Sequence, residues 1–266
     1  MNRMSLFCQS TALLFAAAPA IQAVPVSNYD QDVTPGVIYG SGNANGGFTV
    51  DTAANIELGL RAKVRFDEND DPQNQFNSDG AGNYLMEGGS PTAGFSWIPD
   101  TSTTARWNFD FAINVDVLGD SDAVLADYDY VLRLDGDPTS GTDFLEFDPI
   151  NSSVFDHSMG DNTTTSQTDS KTKDSATYAQ QIQSLSVAQN SWNYDFYNFA
   201  GTALENFDPN VAGIYTIELE AYAKGSFGTA GPLASTSINV LVPEPASLML
   251  LGVGGLALMP RRSRRA

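Results

Sequence analysis

The chain has 266 residues, 13 Lys and Arg against 32 Asp and Glu, and a formal net charge of −19. A body this acidic repels nucleic acid and anionic lipid through its own field, so both drop out as partners. Its single cysteine, Cys8, lies near the N-terminus and its single histidine, His157, beside a polar stretch, which leaves too few ligands for a zinc site and argues against Cys-His or Ser-His-Asp catalysis.

The first segment reads as an export leader. Arg3 supplies a basic start, Leu6 to Ala18 an apolar core, and Ala20 and Ala23 small-residue exits. Cleavage is expected after Ala23, with Ala20 as the alternative. A permanent anchor needs about 20 apolar residues, more than this core provides. The expected division is 1–23 signal peptide, 24–242 folded domain and 243–266 C-terminal segment. Setting aside Arg3, the four C-terminal arginines and Glu244 leaves residues 24–242 with 8 basic and 31 acidic groups, a net of −23. Asp outnumbers Glu 24 to 8, which favours turns over helix interiors. Without a disulfide, the domain must hold by burial alone.

Val37-Ile38-Tyr39 and Phe48-Thr49-Val50 predict two short strands around a glycine-rich turn. From Ile56 to Phe66 apolar and polar residues alternate, which predicts one long strand with Arg61, Lys63 and Arg65 on its outer face. After an irregular stretch, Tyr84-Leu85-Met86 and Phe95-Ser96-Trp97-Ile98 predict short strands. Trp107 to Val117 alternates again, with Asn108, Asp110, Asn114 and Asp116 directed to water or a ligand. Tyr128 to Leu134 repeats the pattern and closes on Asp135-Gly136, a favoured turn pair. Phe144 to Phe147 follows.

Residues 158–177 lack apolar periodicity and predict a surface loop, with His157 an ordinary surface residue beside it. Tyr178, Ile182 and Leu185 share one helical face, so one short helix is expected near 175–189. Trp192, Tyr194 and Phe196, then Tyr215 to Ala221, then Thr236 to Val242, predict further strands. Eight to ten strands without a βαβ rhythm predict an all-β fold, an antiparallel β-sandwich, with a jelly roll as one arrangement it allows. Trp107-Asn108-Phe109-Asp110-Phe111 and Trp192-Asn193-Tyr194-Asp195-Phe196 are alike in sequence. Phe147-Asp148-Pro149 and Phe207-Asp208-Pro209 are also alike, but at a different offset, so the chain is not a duplication. Trp107 and Trp192 lie on apolar strand faces and are expected in the core.

No cofactor is expected, with calcium the one metal to weigh. Asp135, Asp137, Asp143 and Glu146 place oxygens along one loop. Ser140 stands where an EF-hand needs Gly, and the flanks are not helical. A hairpin turn using Asp and Gly for their backbone preferences is the better reading; Asp67, Asp70 and Asp71 carry less of the same interest. No catalytic residue is singled out. A polysaccharide-active enzyme using an Asp/Glu pair remains as an alternative, because so many acids make pairs common. A calcium-stabilised adhesion or carbohydrate-binding module is the other.

The last segment has three parts in fixed order. Pro243-Glu244-Pro245 is stiff and polar. Leu248 to Met259 is an apolar helix candidate of twelve residues, about 18 Å long against a hydrocarbon core near 30 Å. Arg261, Arg262, Arg264 and Arg265 form a basic stop that stays cytoplasmic. Together, from Val242 onward, they resemble a PEP-CTERM sorting signal. That resemblance implies secretion machinery, transient membrane insertion of residues 246–259, and cutting by an exosortase-type enzyme of Gram-negative bacteria that reads Pro243, Glu244 and Pro245. It also implies a destination: the cell surface or extracellular space, in connection with exopolysaccharide and biofilm. The expected protein is therefore an exported, non-enzymatic matrix component, with extracellular polysaccharide as a partner.

Overall fold

The computed structural model describes residues 27–40, 43–92, 102–151, 156–165 and 175–244. They form eleven strands and one α-helix: β1 (Asn28–Gln31), β2 (Phe48–Ala53), β3 (Ile56–Val64), β4 (Asn83–Leu85), β5 (Trp107–Asn114), β6 (Tyr128–Asp135), β7 (Phe144–Phe147), β8 (Ser158–Gly160), α1 (Ser175–Gln181), β9 (Val187–Trp192), β10 (Gly213–Ala223) and β11 (Ala234–Val242). One sheet has the order β1-β2-β3-β5-β9-β8, the other β4-β11-β10-β6-β7. All pairs are antiparallel except β4 with β11. The all-β expectation holds.

The two sheets bury one core between them. The alternating apolar residues of β3 and β5, Leu58, Leu60, Phe109 and Phe111 among them, meet Leu132, Ile217 and Ile238 of the second sheet. Trp107 and Trp192 are in that core, as expected. Trp192 lies 4.9 Å from Phe111, and Trp107 4.9 Å from Tyr194, in the tilted and edge contacts that aromatic quadrupoles favour. Between β2 and β3 the turn residues Ala54 and Asn55 both have positive φ, the geometry that matches a two-residue hairpin to strand twist. The Asn55 side chain locks this turn by accepting from Leu118 N (2.8 Å) and donating to Asp116 Oδ1 (2.9 Å).

Several expectations need correction. Val37-Ile38-Tyr39 is not a strand; it crosses the outer face of the first sheet as buried irregular chain, and β1 lies earlier, at Asn28–Gln31. That segment builds a second core from Val33, Val37, Tyr39, Phe48, Val50 and Ala112. The polar face of β3 and β5 is therefore covered: Arg61, Lys63, Asn108, Asp110 and Asn114 are buried. The loop expected over 158–177 contains β8. The helix ends at Gln181, and β9, from Val187, takes the last three residues of the span assigned to it. Ile182 and Leu185 still pack against the core, as the shared face required. Tyr194 to Tyr197 is a 3-10 turn. Asp135-Gly136 does not make a two-residue hairpin, since β7 begins at Phe144. Gly136 serves another purpose: a Cβ there would lie 2.0 Å from Ala203 O, so only glycine admits the passing backbone. The strand predicted at 95–98 falls outside the described residues.

Candidate functional site

Two regions can carry function: the end of β11, and a polar cleft on the outer face of the first sheet.

β11 pairs along its whole length with β10, from Ala234 opposite Ala221 to Val242 opposite Gly213. Pairing stops at Val242. Pro243 and Glu244 follow, exposed and outside any regular element. A proline has no N–H to continue a ladder, so the strand stops where the stiff motif starts. Pro245, the apolar run and Arg261, Arg262, Arg264 and Arg265 lie outside the described residues, as does Ala23.

Residues 241–265 match the family model of the PEP-CTERM protein-sorting motif. The chain carries a PEP-CTERM sorting signal. The PEP-CTERM match spans those residues and no more. It implies an exported protein, sorted within the cell envelope or to the surface and processed by an exosortase-type enzyme. No curated protein and no solved structure matches the chain. Among the described residues no helix is long and apolar enough to cross a membrane.

The cleft, about 610 Å³, lies over β3, β5 and β9. Its floor begins with a buried ion cluster. Arg61 stands directly opposite Asp110 across the β3–β5 pair. Its Nε donates to Asp110 Oδ2 (2.8 Å), Nη1 to Gly46 O (2.6 Å) and Ala44 O (3.0 Å), and Nη2 to the Tyr39 hydroxyl (3.1 Å). Phe48 and Phe76 cover its two faces, each ring centroid 4.2 Å from Cζ. Lys63 Nζ lies 3.3 Å from the other Asp110 oxygen and donates to Asn43 Oδ1 (2.8 Å). Burial pushes the Asp110 carboxyl up, but Lys63 and Arg61 outweigh it and hold its pKa below the usual range. Burial pulls the Lys63 and Arg65 pKa values down. Desolvation also raises the Tyr39 hydroxyl well above its ordinary value, so it stays protonated.

The next strand completes the wall. Asn190 of β9 donates to Asp156 Oδ1 (2.9 Å) and sits 3.2 Å from His157 Nδ1. Asn108 of β5 donates to Ser191 Oγ (3.1 Å). Arg65, Gln73, Asn74, Asp156 and Ser191 reach the surface of the cleft, and Phe196 stands at its rim, 39% exposed. The rim turn is fixed from below. Asn193 donates to Ala105 O, Trp107 O and Asn108 Oδ1, while Asp195 accepts from the hydroxyls of Thr103 and Thr104.

His157 is a correction. It is fully buried, edge-on to Phe111 at 5.5 Å and against Trp192 at 5.3 Å. Nε2 lies 2.7 Å from Pro149 O, and since a carbonyl only accepts, Nε2 carries the proton. Desolvation lowers its pKa, against smaller opposing effects of the Pro149 bond, Asp156 and Asp148. It is a neutral core residue.

The calcium candidates are not brought together. Asp135 is buried, and its Oδ1 accepts from Asp137 N (3.0 Å) and Asp143 N (2.8 Å), closing the β6–β7 loop on itself. Asp137 accepts from Thr139 N (2.8 Å). Glu146 pairs with Arg133 (2.7 Å), which also binds Glu218 and Glu220. Among the described residues no group of three or more His, Cys, Asp or Glu is placed to hold a metal ion. Asp67 accepts from Asn69 N and Asp71 N, which closes its own turn, and Asp70 accepts from the Thr92 hydroxyl, 22 positions away.

The sequence reading missed the cleft because it placed the cations of β3 on an outer face and left the polar face of β5 to water or a ligand, with no segment to cover either. The signal available was the concentration of three cations on one strand of a chain with so few.

Proposed function

We propose that the chain is a non-enzymatic structural protein of the cell surface or extracellular matrix of a Gram-negative bacterium. It is exported by its leader, held briefly through residues 246–259, cut by an exosortase at the Pro-Glu-Pro segment, and linked to exopolysaccharide and biofilm. The observation that carries this reading is the end of β11. The folded body finishes at Val242 and the sorting motif begins at Pro243, exposed, so a membrane enzyme can reach it without unfolding the sandwich.

The cleft supports a binding role over a hydrolytic one. Two-carboxylate hydrolysis needs a second acid about 5–10 Å from the first. Among the described lining residues Asp156 is the one carboxylate. The test is replacement of Pro243-Glu244-Pro245 by three alanines in the producing cell. The variant is expected to accumulate in membrane fractions with its tail retained; processing and location identical to the parent would overturn the sorting role.

A further inference from the structure

We infer that the cleft over β3, β5 and β9 binds an acidic glycan, a sugar chain carrying carboxylates. The inference deepens the matrix-protein reading and rests on it for the source of the ligand.

Charge is the first argument. Residues 24–242 hold only 8 basic groups, and five of the six within described segments are spent in ion pairs: Arg61 and Lys63 on Asp110, Arg106 on Asp70, Arg133 on three glutamates, Lys224 on Asp129. Arg65 makes no ion pair with a described residue. Its guanidinium lies over Phe66, 4.6 Å from the ring centroid, and lines the cleft. Lys63 and Arg65 line the cleft against Asp156, a local excess of one positive charge in a chain of net −19, and the Arg61–Asp110 pair is buried apart from the lining. A half-buried cation with no ion pair among the described residues is costly unless something else satisfies it. The guanidinium fork matches a carboxylate bidentately.

Shape and polarity are the second. A cleft of about 610 Å³ falls within the range of small-ligand sites. Its polar wall is held in place: Asn190 by Asp156 and His157, Asn108 by Ser191, Lys63 by Asn43. Asp156 Oδ2 has no partner among the described residues and can accept from a sugar hydroxyl. Phe196 offers an exposed ring at the rim, suited to the apolar C–H face of a pyranose. A polyphosphate fits less well, since its dense charge meets the repulsion of the whole chain. A glycan with one carboxylate per sugar spaces its charges farther apart, so one reaches Arg65 while the hydroxyls between them meet the polar wall.

The experiment is calorimetric titration of the exported protein with trigalacturonate, maltotriose and inorganic phosphate. Saturable binding of trigalacturonate is expected, at least tenfold tighter than maltotriose or phosphate. Arg65→Gln should weaken it at least tenfold, and Asn74→Asp, which adds a negative charge at the exposed rim, severalfold. Thermal melts check that both variants fold; if Arg65→Gln does not, Asn74→Asp decides. Absence of trigalacturonate binding, equal binding of maltotriose or phosphate, or undiminished binding by the folded variants would overturn the assignment. Processing and location are read separately. A null titration on a correctly sorted protein removes the glycan site alone, while glycan binding by a protein that is not sorted removes the matrix reading alone.

Discussion

Arg61 shows how one side chain can organise a segment. Its donors reach Asp110, Ala44, Gly46 and Tyr39, and two rings close its faces, so Tyr39 and residues 44–46 gather around a single guanidinium. Gly47 follows: its φ is +69°, and a Cβ there would fall 2.5 Å from the Phe76 ring. Removing the counter-ion should be severe. Asp110→Ala leaves two buried cations uncompensated and is expected to cost about 3–5 kcal/mol in denaturant unfolding. His157 gives a pH prediction. Its folded pKa is depressed by burial, so the native state binds fewer protons than the unfolded chain below the ordinary histidine value near 6.5. Stability is then full above about pH 6.5 and falls as pH drops towards 5, by up to about 1.4 kcal/mol per pH unit. Melting curves across that window should show this decline, and His157→Gln should flatten it. At this scale little was legible in the sequence. Alternation identified which β3 and β5 residues share a face. It could not show that Val33, Val37 and Tyr39 return to cover that face, because Arg61 and Asp110 are 49 positions apart and their pairing exists only once the strands align.

The strands themselves were more legible. Long alternating runs gave β3, β5, β6, β10 and β11, because a sheet with one face in a core imposes period two on its sequence. Of the shorter strands, β2, β4 and β7 were legible, but β8 and β9 were not: β8 is three residues long, and β9, Val187-Ala188-Gln189-Asn190-Ser191-Trp192, is buried on both faces and lacks the alternation. The likeness of the two Trp-Asn-aromatic-Asp-Phe segments proved local. The first is strand; the second turns after Trp192, because Asn193 caps a 3-10 turn and binds back to residues 105–108. Asn193→Ala leaves buried backbone groups unpaired, at about 1–3 kcal/mol for each. Trp192→Ala empties the centre of the aromatic cluster and is expected to cost about 3–5 kcal/mol. Chemical denaturation of both variants checks these values. β11 sets a boundary: a chain ending at Val242 should keep the melting temperature of the parent, while one ending before Thr236 should not fold, since β11 joins β4 to β10.

For the whole molecule, the address and the cargo are successive stretches of the sequence. Four arginines and a short apolar run stand beyond a sandwich whose last strand ends at Val242, and the basic charge they add is not part of the folded domain. The sorting segment was the most legible feature of the sequence, because its information lies in local order and not in tertiary contacts. The cleft was the least legible, because it needs three strands and a covering segment to exist. The account's central claim is that an exported sandwich is delivered intact and cut just behind its last strand. Intact-mass measurement of the protein recovered from the surface and medium of producing cells tests it most directly. The account predicts a species that begins after Ala23 and ends beyond Val242 but short of the Leu248–Met259 run. A mature protein that retains Leu248 to Arg265, wherever it is found, would contradict it.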